Sequence, residues 1–519
     1  MTQVFDYVKQ AFNLKSQNCY KQAIEMLYKA LEIQSDNVEI LSQLGELYYL
    51  LLNYERAKQY LEKVLAKNPK HVESLKILKE IHAAQQDYKK ALKYAQAVFD
   101  IKNTSDSLSE LIRILSKLGK PDKIKELAVS GDEKVMYEYA KALYDNAKSA
   151  AALEILESGE YSENEDMQIL LGKIYFNRGD FEKSKEIFRN PALKTDNPEV
   201  LNYLGLFALE DLDFIEAIKM FSKASGLDKQ NAVYFYNLAN AYFYNGWLEE
   251  AVQTYLKAVC FAPDNMDYRY SLAYLYYESK QFDKAQSEVE FIFSNRPEHH
   301  PAVVLNALLK FENKDFLGAQ KDLERNIANG DNSNFTLASL VKVYKELAMF
   351  DKARDIMLNI IAENPQNFNY KCDLAEICIR EKKYSEALAI ADGVIEQNKN
   401  FIAAYVLGAK AAFDMKDLEK TRFYAQNAVL LDINYPEGYY YLALARLEEK
   451  DYDEAAECMK RAVTSDVNNA KYYAGMSEIY KAAGDIKTAL DYIKEAVSID
   501  NSVEYKILYT ELASLNRKK

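Results

Sequence analysis

Glycine and proline are scarce, 16 and 9 in 519 residues, and they are scattered singly. No Ser/Gly/Pro-rich or single-sign charged stretch divides the chain, so the three or four linked globular domains that its length alone suggests are not what it encodes. Both residues are costly in helix interiors, and their scarcity predicts an all-α protein. Cysteine is scarce too. Cys19, Cys260, Cys372, Cys378 and Cys458 are odd in number, far apart and outside any C-x-x-C pair. That is the usage of a reducing compartment, where buried Cys acts as a small apolar residue. Residues 1–18 carry no apolar run behind a basic start, and stretches such as Leu47 to Leu52 are too short to cross a bilayer. The expected location is the cytoplasm, without membrane insertion.

A basic surplus is also missing. The net charge of −13 argues against a nucleic-acid binder, which must neutralise phosphates. An acidic groove or a basic partner fits better, but the same balance is ordinary in a cytosolic protein. The glycines form no phosphate-cradling loop of the G-x-G-x-x-G or G-K-[ST] type. His71, His82, His299 and His300 have no partners at a zinc-ligand spacing, and His299-His300 before Pro301 reads as a solvated loop pair. Cys372 and Cys378, six apart, share no helix face and read as two core cysteines. No metal, cofactor or catalytic set is expected, and hence no enzyme.

What the sequence does contain is a period. Small residues recur every 34 positions at Ala217, Ala251, Ala285, Ala319, Ala353, Ala387, Thr421, Ala455 and Ala489, and at Ala23, Ala57 and Ala91 near the start. Three residues earlier stands a large apolar one, such as Tyr54, Phe214, Phe282 or Tyr452. Twelve residues earlier stands a second small one, including Ala11, Gly45, Gly205, Ala239, Ala273 and Ala307. Antiparallel helices packed at roughly 8–10 Å need small residues where their backbones come closest and large ones beside that point. Short connections such as Asn177-Arg178-Gly179-Asp180 separate the two helices, and Pro69, Pro263, Pro297 and Pro365 follow the second. Each period is one helical hairpin.

The small residue at repeat position 8, tyrosine at 11 (Tyr48, Tyr175, Tyr242, Tyr276, Tyr344, Tyr480), alanine at 20 and proline at 32 resemble the tetratricopeptide repeat over nearly the whole chain. The resemblance implies an α-solenoid of about fifteen helix-turn-helix units in a right-handed superhelix. Lys79, Val341 and Ser477 at the first small position, and Lys310 at a tyrosine position, depart from the pattern and predict looser packing. Residues 1–105 read as three regular units and 106–164 as two shortened, degenerate hairpins. Ten regular units follow over 165–502, then a capping helix with a basic tail over 503–519, where Ile507, Leu508, Leu512 and Leu515 share helical spacing.

The resemblance also places the first helices on the concave face. With core contacts at positions 4, 7, 8 and 11, positions 5, 9 and 12 turn toward the groove. Most units are polar or mixed there. Three consecutive units differ: Tyr236, Asn240, Phe243 and Tyr244; Tyr270, Tyr274 and Tyr277; Val304, Leu308 and Phe311. Such a stripe is either a surface that binds a protein or an extended peptide, or packing between neighbouring first helices. The family's chaperone cofactors clamp a terminal carboxylate with basic and amide groups. Asn237 matches one of these, but Asn202, Leu206, Asp267 and Ser271 do not complete the set, so carboxylate-clamp chaperone binding is not expected. The groove asparagines of a glycosyltransferase array are missing as well. A non-enzymatic interaction scaffold is the leading expectation. A structural subunit of a larger assembly comes next, then a helical-repeat RNA binder or an enzyme with a non-obvious site.

Overall fold

The computed structural model describes residues 2–128, 132–158, 164–190, 193 and 196–518, with backbone alone for 2, 517 and 518. Among the described residues there are 31 α-helices and no strand. They divide into two compact units, Met1–Ala262 and Pro263–Lys519.

The first unit holds eight hairpins. They are α1 (Thr2–Ser16) with α2 (Tyr20–Ile33), α3 (Val38–Leu50) with α4 (Tyr54–Lys67), α5 (Val72–Ala84) with α6 (Tyr88–Lys102), and α7 (Ser105–Lys117) with α8 (Pro121–Leu127). Next come α9 (Glu133–Asp145) with α10 (Ser149–Leu156), α11 (Glu165–Asn177) with α12 (Phe181–Phe188), α13 (Pro198–Glu210) with α14 (Phe214–Leu227), and α15 (Ala232–Tyr244) with α16 (Leu248–Phe261). The second unit holds seven: α17 (Met266–Glu278) with α18 (Phe282–Asn295), α19 (His300–Glu312) with α20 (Phe316–Ala328), α21 (Asn334–Glu346) with α22 (Phe350–Glu363), and α23 (Phe368–Arg380) with α24 (Tyr384–Gln397). It continues with α25 (Ile402–Asp414) and α26 (Leu418–Leu431), α27 (Pro436–Glu448) and α28 (Tyr452–Ser465), α29 (Ala470–Ala482) and α30 (Ile486–Ile499), and the single helix α31 (Val503–Lys518).

The periodic small residues sit where a hairpin's helices cross. Ala23, Ala57, Ala217, Ala251, Ala285 and Ala319 are fully buried. A Cβ built on Gly45, Gly172 or Gly205 would lie 2.6 Å from Leu61, Phe188 or Phe221 of the facing helix, so the glycine makes room for the large side chain opposite. Where a hydroxyl replaces the methyl it finds a carbonyl across the crossing: Ser184 Oγ donates to Gly172 O and Ser477 Oγ to Ala489 O, both at 2.8 Å. Ser477 is thus fully buried and satisfied, and Val341, 1% exposed, shares a core with Met357. The Ser477 hairpin does not show the looser packing expected of it, whereas α21 and α22, the Val341 hairpin, are the least closely packed of the full-length pairs, as expected. Lys310, at a tyrosine position, pairs with Asp322 at 2.6 Å.

Helix ends follow local chemistry. First helices are capped by Asn37, Asn164, Asn197, Asn231, Asn265, Asn367 and Asn469, whose side chains accept from the first-turn N–H groups. His71 and His299 hold the same position. The expectation of a solvated histidine pair is therefore corrected. His299 is 2% exposed, accepts from Ala302 N and lies 3.0 Å from Asp267 Oδ1, while His300 Nδ1 lies 2.7 Å from Asn326 Oδ1. In the turn between paired helices one residue is left-handed. It is glycine at Gly179 and Gly246, but Leu212 and Lys280 adopt φ 59° and 58° at the same place. The following N–H closes the turn, Asp213 N to Ala208 O and Gln281 N to Tyr276 O at 2.8 Å, and this bond holds the strained residue.

Shortened second helices occur at α8 and α10 and again at α12, one hairpin past the segment the sequence singles out. Beyond α12, Leu193 fills the missing turn and packs with Phe188, Val200 and Phe207. Residues 129–131 and 159–163 of the irregular stretch lie outside the described residues, as do Lys519 and the side chains of Arg517 and Lys518 in the basic tail. In α31, Leu512 is fully buried and Leu508 packs beside it, whereas Ile507 is exposed. No described helix is long and apolar enough to cross a membrane.

Candidate partner-binding surface

The ten residues of the tyrosine-rich stripe divide between the units, four in the first and six in the second. In the first, α15 presents Tyr236, Asn240 and Phe243 half-buried, with Tyr244 60% exposed at its end. Tyr236 lies 5.9 Å, ring to ring, from the buried Tyr255 of α16, whose hydroxyl donates to Asn240 Oδ1. Asn240 is thereby committed within its own hairpin. Tyr244 turns to the helix-turn edge, stacked at 6.1 Å on Phe214, and Trp247 stacks on Tyr242 at 5.9 Å beside it. Leu212 and Ile215, 73% and 58% exposed, flank Phe214 in sequence.

In the second unit, Tyr270, Tyr274 and Tyr277 form a continuous row along α17, with successive ring centroids 6.2 and 6.3 Å apart. The row arises because positions 5, 9 and 12 return to one helix face. Each ring is half-buried. Tyr270 rests on the small core of Met266, Ile292 and Ala302, and Tyr277 on the larger core that includes Val304 and Leu308. Burial, joined by the Glu278 and Glu312 carboxylates, pushes the Tyr274 and Tyr277 hydroxyls well above the usual phenol range. They therefore remain hydrogen-bond donors at any physiological pH. Tyr277 donates to Glu312 Oε1 at 3.1 Å, and Lys342 of α21 lies 3.6 Å from that carboxylate and 4.4 Å from the ring centre of Phe311. The face is a strip of amphipathic rings edged by the Glu278 and Glu312 carboxylates and the Lys342 ammonium.

Two members of the tenth hairpin are corrected. Val304 and Leu308, 1% and 7% exposed, belong to the core with Ala307, Leu340 and Tyr344 rather than to a surface. Position 9 of α19 faces inward because α21 packs over it, a neighbour effect that periodicity within one helix does not register. Phe311 stays half-buried. The clamp-like Asn237 is 9% exposed and donates to Asn202 Oδ1 at 2.8 Å, an amide pair consumed between adjacent hairpins.

A second aromatic group went unread in the sequence. Tyr440, Tyr441 and Tyr472 meet at 5.2 and 5.6 Å, and Lys471 Nζ lies 3.8 Å from the Tyr440 ring centre. Tyr440 occupies repeat position 5, like Tyr236 and Tyr270, and that was the available signal. Among the described residues no three His, Cys, Asp or Glu side chains are grouped to hold a metal. All five cysteines are free.

Models of the tetratricopeptide repeat match residues 15–81, 165–190, 239–280, 436–469 and 470–503. The comparison with curated proteins returns no match. Among solved structures, the chain is similar to one from the crystal structure of the APC/C hetero-tetramer Cut9-Hcn1, at TM-score 0.50 and 15% identity over 85% of this chain and 96% of that one. It is also similar to a tetratricopeptide repeat protein from Parabacteroides merdae ATCC 43184, at TM-score 0.40 and 20% identity over 48% and 98%.

Proposed function

We propose, from the premise that this chain is a tetratricopeptide-repeat protein, that it is a non-enzymatic cytoplasmic scaffold holding a partner protein through an extended segment. The observation that carries the reading is the row of Tyr270, Tyr274 and Tyr277 with Phe311. Tyr270, Tyr277 and Phe311 pack against the core, Tyr274 lies between its two tyrosine neighbours, and every ring stays only half-buried. Rings held this way offer contact area at little entropic cost, with a hydroxyl for polar recognition. A row spanning two to three helix turns, roughly 11–16 Å at about 5.4 Å per turn, suits about four extended residues. The five free cysteines support a reducing compartment.

A structural subunit of a larger assembly is the second reading, favoured by the apolar edge of Leu212, Ile215, Tyr244 and Trp247 in the first unit. The test is a peptide-display library panned against the full chain, with enriched peptides measured by calorimetry against the wild type and Tyr274→Ala. A folded Tyr274→Ala should lose about 2 kcal/mol of affinity, roughly thirtyfold. Enriched peptides that bind the variant as tightly as the wild type would remove the row from the binding surface.

A further inference from the structure

The joint between the third and fourth hairpins is built unlike its neighbours. Four residues separate α2 from α3 and α4 from α5, but only Asn103 and Thr104 lie between α6 and α7. Asn103 turns in left-handed backbone, φ 44°, and Thr104 closes a capping box with Ser107. The first small position of this hairpin is Lys79, whose ammonium cannot nest at a crossing as a methyl does. A cleft of about 570 Å³ opens here, within the size range of small-ligand sites, and Ala95 and Val98 of α6 form its apolar part.

Its charge runs against that of the chain. Lys76, Lys79, Lys102, Arg113 and Lys134 line it, against the carboxylates Glu80, Asp106 and Glu110. That is an excess of two positive charges in a protein whose net charge is −13. Three of the cations are occupied. Lys79 pairs with Glu80 at 2.8 Å and with Glu110, Arg113 with Glu138 at 2.6 Å, and Lys134 with Asp106. Lys76 and Lys102 have no ion pair among the described residues. Ser109, 1% exposed, lies in the wall, and its Oγ has no hydrogen-bond partner among the described residues. A buried hydroxyl in that state is a standing cost that an acceptor oxygen removes.

We propose that this cleft binds a phosphate monoester. Near neutral pH the group approaches two negative charges and carries three acceptor oxygens, enough for the Lys76 and Lys102 ammonium groups and the Ser109 hydroxyl together. A carboxylate brings only one negative charge to the two ammonium groups, where the phosphate monoester brings nearly two. The ester can arrive on a phosphorylated side chain of a protein or on a small metabolite. The site lies in the first unit and does not depend on the tyrosine row of the second.

The experiment uses the full chain in low salt, titrated by calorimetry with O-phosphoserine, serine, and a phosphoserine peptide beside its unphosphorylated twin. O-phosphoserine binds saturably, serine does not, and added salt weakens the binding. Lys76→Gln combined with Lys102→Gln removes two exposed side chains that make no ion pair, so the thermal midpoint holds. Affinity falls by about tenfold or more, the scale of one lost charge-assisted hydrogen bond. Ser109→Ala lowers affinity without altering the salt dependence. A phosphopeptide that binds more tightly than O-phosphoserine identifies a protein source, and equal affinities identify a metabolite; either keeps the site. No saturable binding at about 10 mM, weaker than any useful affinity, overturns it. So does a folded double lysine variant that binds like the wild type.

Discussion

Gly205 tests whether the period of small residues is set by helix crossings. It lies in α13 beneath α14, and a Cβ built on it stands 2.6 Å from Cε1 and 2.8 Å from Cδ1 and Cζ of Phe221. Phe221 is fully buried, so its ring has nowhere to turn. Gly205→Ala should therefore incur about 1–3 kcal/mol of overpacking, offset by about 1 kcal/mol of helix propensity. The net is a loss on the order of 1 kcal/mol. Gly393 supplies the control: it is also inside a helix, α24, but a Cβ there meets nothing within 4 Å. Gly393→Ala should gain about 0.5–1 kcal/mol. Repeat arrays need not unfold in one step, so the assay is amide hydrogen exchange resolved by helix. Exchange in α13 and α14 should speed up by roughly fivefold for the first variant, and exchange in α24 should slow by two- to fivefold for the second. In a double-mutant cycle the Gly205→Ala penalty should shrink beside Phe221→Leu. If Gly205→Ala instead protects its hairpin as Gly393→Ala protects its own, steric closeness is not the reason for glycine at this position.

Arg354 holds Glu381, whose side chain is 8% exposed, and also pairs with Glu386 at 2.6 Å. Arg354→Met leaves Glu381 with only Lys383, at 3.2 Å, and should destabilise α22 to α24 by about 3 kcal/mol. Local exchange that does not change would refute this. Burial holds the His82 imidazole below its ordinary value, opposed by the Asp87 carboxylate. The unfolded chain therefore takes up a proton at a pH where the folded chain does not. Stability is kept above the unfolded value near 6.5 and falls as pH drops from there toward the folded value. His82→Phe, which preserves the ring stacked on Tyr94 at 5.6 Å, should flatten the decline in thermal midpoint between about pH 7 and pH 5. An equal slope in both proteins would exclude His82 as its source.

The sequence by itself determined the hairpin. Ala217, Ala251 and Ala285 recur because every crossing imposes the same close approach, and Asn and Asp recur at helix starts because each first turn leaves the same N–H groups unpaired. Both demands are local, repeat with the chain, and can be read without neighbours. The second-helix shortening was legible only where it shifted the period by more than one residue, at α8 and α10. At α12 the period is short by a single residue, Gly172 to Gly205 and Ser184 to Ala217, and Leu193 replaces the lost turn.

Only the tertiary structure decided what faces outward and what carries charge. Tyr274 and Leu308 both occupy position 9, but the first is half-buried and the second is core, because that position's environment is set by the next hairpin. Lys79 reads as a defect until Glu110, 31 residues on, is brought against it. His299 reads as a loop histidine until the fold seals it as a cap against Asp267. Contacts within one hairpin are fixed by a spacing of a few residues, and sequence shows them. Contacts between hairpins join positions about 34 residues apart across helices whose separation depends on linker length, as the two-residue link before α7 illustrates, and that separation exists only in three dimensions.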